Sequence, residues 1–132
     1  MQMEVTSDVI DWLAAQARAA HPRECCGILL GHEGRIREAR ATANVHPAPE
    51  THFEIDPQAL IDAHRAARSD GAPQVLGYYH SHPGGNAVPS ATDRASAAGD
   101  GRIWAIIAGA EVRFWRDCKG GFEALSYSLA DG

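Results

Sequence analysis

The sequence contains a single lysine, Lys119, and its arginines are scattered rather than clustered. With a formal net charge of −5 and no basic patch, it lacks the electrostatic footprint of a protein that binds nucleic-acid backbone. No apolar run approaches the ~20 residues of a membrane-spanning helix. Met1 to Val5 carry no positive segment leading into an apolar stretch, so no signal peptide is expected. Cysteine is scarce. Cys25, Cys26 and Cys118 are odd in number and two of them are adjacent, which argues against a disulfide framework and for a reducing, cytoplasmic setting. Internal repeats and low-complexity linkers are also missing.

What is present is a globular composition: 45% hydrophobic and 22% charged in 132 residues, the size of one domain. A chain of this length hides roughly 65–70% of its unfolded surface and needs no covalent staples. Ser7 or Asp8 can cap a first helix through about Ala20, with Val9, Leu13, Ala17 and Ala20 at helical spacing, and His21-Pro22 ends it. Cys26 to Gly31 and Arg35 to Thr42 read as a hairpin turned at Gly34. His52 to Ile55 reads as a short strand. Asp56-Pro57 opens a second helix to about Arg68. Val75 to His80 and Ile103 to Ala108 read as buried strands, with a Gly/Pro-rich loop and a third helix, Ser90 to about Ala98, between them. Glu111 to Arg116 and Phe122 to Ser128 complete six or seven strands. The pattern predicts one α/β layered domain, a mixed sheet covered by three helices.

The chemistry concentrates in His80-Ser81-His82-Pro83 and Ser90-Ala91-Thr92-Asp93. At the end of a strand, residues two apart point to the same face about 6.5–7 Å from each other. Two imidazoles so placed can converge on one ion at about 2.0–2.1 Å. Asp93, in the first turn of a helix, can fold back to the same point. Two histidines and one carboxylate leave a fourth tetrahedral position open, the pattern of catalytic rather than structural zinc. Each half also has a plain reading. H-x-H is common, and Ser90-x-x-Asp93 by itself is a capping box. A metal-bound Asp93 is expected to have little freedom left for capping. Glu24, taken alone, reads as a solvated turn residue after Pro22-Arg23.

Taken together, H-S-H-P, with seven residues between His82 and Ser90, then S-x-x-D, resembles the signature of the JAMM (MPN-plus) metallopeptidases. Glu24-Cys25-Cys26-Gly27 is similar to that family's E-x-C-G before an apolar strand. Asn44, Pro49, Phe53, Ile55 and Pro57 resemble its bacterial N…P…F-x-I-x-P segment. The likeness runs from about Pro22 to Asp93. It implies a curved mixed sheet flanked by helices, the cytidine-deaminase-like architecture, and Zn²⁺ held by His80, His82 and Asp93. It further implies Glu24 as general base and Ser90 donating to the oxyanion or orienting water. The implied substrate is the C-terminal tail of a ubiquitin-like or sulfur-carrier protein, cut after Gly-Gly, in cysteine or sulfur-cofactor biosynthesis. Oligomeric state is left open, a homodimer included.

Two rivals were weighed. A catalytically silent MPN scaffold predicts a missing ligand, and every position is filled. A RadC-like protein shares H-x-H…S-x-x-D, but the acidic charge disfavours it. A cysteine nucleophile at Cys25 or Cys26 lacks a paired base at a recognised spacing. His21, His32, His46, His52 and His64 read as surface or loop residues, and Trp104, Phe114 and Trp115 as core.

Overall fold

The structure is a computed structural model that describes residues 3–132. In chain order it comprises β1 (Met3–Thr6), α1 (Ser7–Ala20), β2 (Cys26–His32), β3 (Arg35–Thr42), α2 (Pro57–Ala66), β4 (Gln74–Ser81), α3 (Ala91–Ser96), β5 (Ile103–Ala108), β6 (Glu111–Cys118), β7 (Gly121–Leu125) and β8 (Tyr127–Ala130). The eight strands form one mixed sheet in the order β7-β6-β5-β4-β2-β3-β1-β8. β4 runs parallel to β5, and β1 parallel to both β3 and β8; the remaining pairs are antiparallel.

Phe122 to Ser128 is not one strand, as expected from its alternation, but two. β7 and β8 stand at opposite ends of the strand order, yet Ser126 alone separates them in sequence. The sheet must therefore curl until its two ends nearly meet, which shelters edges that would otherwise invite pairing with another chain. Alternation of side chains cannot reveal this, because it is the same on either side of Ser126. β1 has only four residues, too few for a periodic signal, and no strand was expected there. His52 to Ile55 forms no strand beyond a single bridge between Asn44 and Ile55.

The curled sheet wraps α1. Val9 and Leu13 of that helix are buried against Leu29, Ile36, Tyr79, Ala105, Ile107 and Phe114. Thr6, one residue before the expected caps, closes the helix N-terminus by accepting from the Val9 amide. On the other face, Ala63 of α2 packs over Ile28, Leu30 and Val75. β2 thus buries both faces, the physical reason its sequence is apolar without alternation. Asp56 caps α2 with Pro57 in its first turn, and the helix ends at Ala66, two residues before the expected stop. Gly77 pairs with Ile103 across β4 and β5; a Cβ there would overlap the Ile103 carbonyl. Among the described residues no helix is long and apolar enough to cross a membrane.

Candidate metal centre

Strand register assembles the site. Cys26 at the start of β2 pairs antiparallel with His80 near the end of β4. Continuing that register by two residues places Glu24 opposite His82. Two hydrogen bonds carry the pairing past the ladder: the Ser81 amide donates to the Cys25 carbonyl (3.1 Å), and the Cys25 amide donates to Ser81 Oγ (2.9 Å). His82 is tied to β5 by its amide on the Ile107 carbonyl (2.8 Å). Residues 56 positions apart in sequence are thereby held side by side.

His80, His82 and Asp93 meet at one point. His80 Nε2 lies 3.0 Å from His82 Nε2 and 3.0 Å from Asp93 Oδ1; His82 Nε2 lies 3.1 Å from Asp93 Oδ2. These separations are close to the edge, about 3.3 Å, of a tetrahedron with bonds of about 2.0 Å. His82 Nδ1 is 2.7 Å from the Asn86 carbonyl, an oxygen that can only accept. Nδ1 must therefore carry its proton, and in the neutral ring the lone pair on Nε2 faces a carboxylate. A cation between them removes that conflict. The nitrogen and carboxylate donor set suits a borderline divalent ion such as zinc.

Asp93 does not choose between the two tasks expected to compete for it. Its Oδ2 accepts from the Ser90 amide (3.0 Å), and its own amide donates to Ser90 Oγ (3.0 Å), a complete capping box. The same carboxylate presents both oxygens to the histidines. An oxygen has more than one acceptor direction, so the cap orients the carboxylate rather than consuming it.

Asp93 and His80 are almost wholly buried, and Glu24 is 8% exposed. Burial alone would raise the Asp93 pKa, but its close contacts with the His80 and His82 rings, when these carry charge, override it and hold the carboxyl far below the usual range. Burial lowers the His80 pKa despite its contact with Asp93. For His82, burial works downward but the hydrogen bond with Asp93 prevails and the net shift is upward. Burial pushes Glu24 up to about 7, against the pull of His82 and with a further push from Asp93. Burial also raises both neighbouring thiols, Cys26 to about 11, so neither is poised as a nucleophile.

Glu24, His82, Ser90 and Asp93 open on a cleft of about 1070 Å³. Phe53 and Trp104 form its apolar floor around His80. The Phe53 ring stacks on the imidazole at 4.2 Å and 17°, and Trp104 meets it edge-on at 5.7 Å. Trp104 is core, as its sequence context implied, but it also braces a site residue.

Residues 6–118 match the Prok-JAB family, the prokaryotic homologs of the JAB domain. The chain belongs to this family. A protein from Haloferax volcanii named desampylase is 33% identical over 111 residues, covering 80% of this chain and 79% of its own. A protein from Mycobacterium tuberculosis named CysO-cysteine peptidase is 36% identical over 92 residues, 67% of this chain. That alignment spans 61% of the mycobacterial protein, so the chain matches about three-fifths of that relative's length. A solution structure from Desulfitobacterium hafniense superposes with a TM-score of 0.84 at 28% identity, covering 99% of this chain and 94% of the other. The curved mixed sheet implied by the sequence resemblance is therefore the fold of this JAB domain.

Three polar residues of the JAB domain were not read as part of the site. Ser81 lies between the two histidines, points away from them and fastens Cys25. Asn44 was noted only as part of a motif. It uses all its hydrogen-bonding capacity at the rim of the cleft. Asp117, 1% exposed, accepts from the Ala98 and Gly99 amides and fixes the chain leaving α3. Serine, asparagine and aspartate look alike in sequence whether solvated or buried, so only the fold distinguishes them.

Proposed function

We propose that this JAB domain is a zinc-dependent peptidase that hydrolyses the bond following the extended C-terminal tail of a ubiquitin-like or sulfur-carrier protein. The observation that carries the reading is the convergence of His80, His82 and Asp93 at one point, with His82, Asp93 and Glu24 all lining the same cleft. In this reading those three residues hold the ion. A bound zinc ion supplies Lewis-acid polarisation of the scissile carbonyl and of water.

Glu24 takes the proton of the attacking water and returns it to the leaving amine as the C–N bond breaks. Burial pushes the Glu24 carboxyl up to about 7 in the metal-free site, the direction that offsets the acidifying pull of a nearby dication. Ser90 Oγ already accepts from the Asp93 amide, which leaves its proton to donate to the developing oxyanion or to the water. Tyr78, Leu60 and Phe53 line the cleft and give an extended tail an apolar wall, while Gly84 and Gly85 edge it without side chains. The names of the relatives, desampylase and CysO-cysteine peptidase, support a substrate of this kind.

The test is incubation of zinc-loaded protein with several carrier proteins bearing C-terminal extensions, with and without chelator. Cleavage is expected to stop on chelation and return with zinc. Glu24→Gln is expected to keep the metal and lose about 10²–10⁴-fold in turnover. No cleavage of any carrier by the zinc-loaded protein would remove the substrate assignment. Undiminished activity in Glu24→Gln would remove Glu24 as the base.

A further inference from the structure

Glu24 precedes β2 and has no ladder of its own to hold it, yet its main chain is bonded on both sides. Its amide donates to the Pro49 carbonyl (2.7 Å) and its carbonyl accepts from Asn44 Nδ2 (3.0 Å). The same Asn44 Nδ2 donates to the His52 carbonyl (3.0 Å). Asn44 Oδ1 accepts from the amides of His46 (3.1 Å) and Glu54 (3.0 Å). Two donors and two acceptor directions are all that an asparagine side chain offers, and all four are used. Around this hub the loop from 45 to 54 closes on itself. The Val45 amide reaches the Glu54 carbonyl (3.0 Å), and His46 stacks on His52 at 4.7 Å. The loop also carries Glu50, Thr51, His52 and Phe53 into the cleft wall.

We propose that Asn44 is a positioning residue for Glu24, through which the loop forming the cleft rim sets the place of the general base. This rests on the peptidase reading above. The two halves of the amide do different work. Oδ1 shapes the loop; Nδ2 reaches out of it to the Glu24 carbonyl. Asn44 touches neither substrate nor metal ligand. Its contribution is the fixed offset between the Glu24 carboxylate and a reacting water, and a misplacement of about 1 Å at such a distance costs about 10²-fold in rate.

Asn44→Asp separates the halves, since it keeps an acceptor of the same shape for His46 and Glu54 and removes both donors. In the zinc-loaded variant kcat is expected to fall about 10- to 100-fold, with KM and zinc stoichiometry near wild type. Amide hydrogen exchange at Glu24 to Cys26 should accelerate while the His46 and Glu54 amides stay protected. Asn44→Ala should expose those amides too and raise KM. Unchanged kcat or unchanged exchange at Glu24 in Asn44→Asp overturns the proposal. So does a loss of activity accompanied by loss of zinc. If Asn44→Asp does not fold, Asn44→Ser is measured in its place, and failure of both to fold shows a purely structural role. A wild-type protein that cleaves no carrier removes the peptidase reading and this role with it. An active wild type with an unaffected variant removes only this role.

Discussion

Glu24 illustrates how far a residue's meaning depends on its surroundings. In a solvated turn it would titrate near 4.3; buried beside His82 and Asp93 it titrates at about 7. A dication nearby favours the carboxylate. The expected outcome is a Glu24 carboxyl that titrates near neutrality in metal-free protein and moves to lower pH on zinc loading, read by carbon-detected NMR. No shift on loading would place Glu24 too far from the ion to act on its water. Tyr79 is a different case. Its ring fills the core and meets Trp12 edge-on, while its hydroxyl is buried with no partner among the described residues. Leaving such a group unsatisfied costs about 1–3 kcal/mol. Tyr79→Phe should therefore hold or raise Tm in calorimetry, and a clear drop would show that the hydroxyl is satisfied after all.

Among the elements, α3 has only six residues and no ladder to support it. Its capping box is what keeps Asp93 facing the histidines. Ser90→Ala removes the acceptor for the Asp93 amide and should cost about 1 kcal/mol. A drop of roughly 3–5 °C in Tm is expected from that figure. Because the Ser90 amide still holds Oδ2, zinc stoichiometry should survive while turnover falls; an unchanged Tm would show the cap to be idle. The same box explains why sequence reasoning set capping against ligation. The S-x-x-D spacing is identical in both, and only the direction of the second oxygen lone pairs shows that they are compatible. Element boundaries were legible where a local signal existed, as at Asp56-Pro57 and in the run from Ile103 to Ala108. β1 and the division at Ser126 had no such signal, because each depends on partners distant in sequence.

For the molecule as a whole, the cleft is acidic. Glu50, Glu54 and Asp100 join Glu24 and Asp93 in lining it, and neither lysine nor arginine does so among the described residues. Away from the ion, a leaving group with a free carboxylate would meet repulsion and no lysine or arginine to pair with. Extensions ending in a carboxamide, or attached through a lysine side chain, should be released faster than the same extension with a free carboxylate. Paired kcat/KM measurements check this, and equal values would show that the rim charges are screened.

The residue pattern alone pointed to His80, His82 and Asp93 as side chains that could meet, because H-S-H at the end of a strand and S-x-x-D at the start of a helix are local arrangements with local geometric consequences. It likewise determined that β4 and β5 are buried, since strands covered on both faces lose their alternation; the burial of β2 came from the structure. Only the tertiary structure decided that Glu24 comes close to His82, because strand register is a long-range property. It alone decided that Asp93 can cap and face the histidines together, and that Asn44 bonds to the Glu24 carbonyl. A hydrogen bond between residues twenty apart leaves no period in a sequence; it exists only once β2 and β3 have paired and brought the residues that flank them side by side.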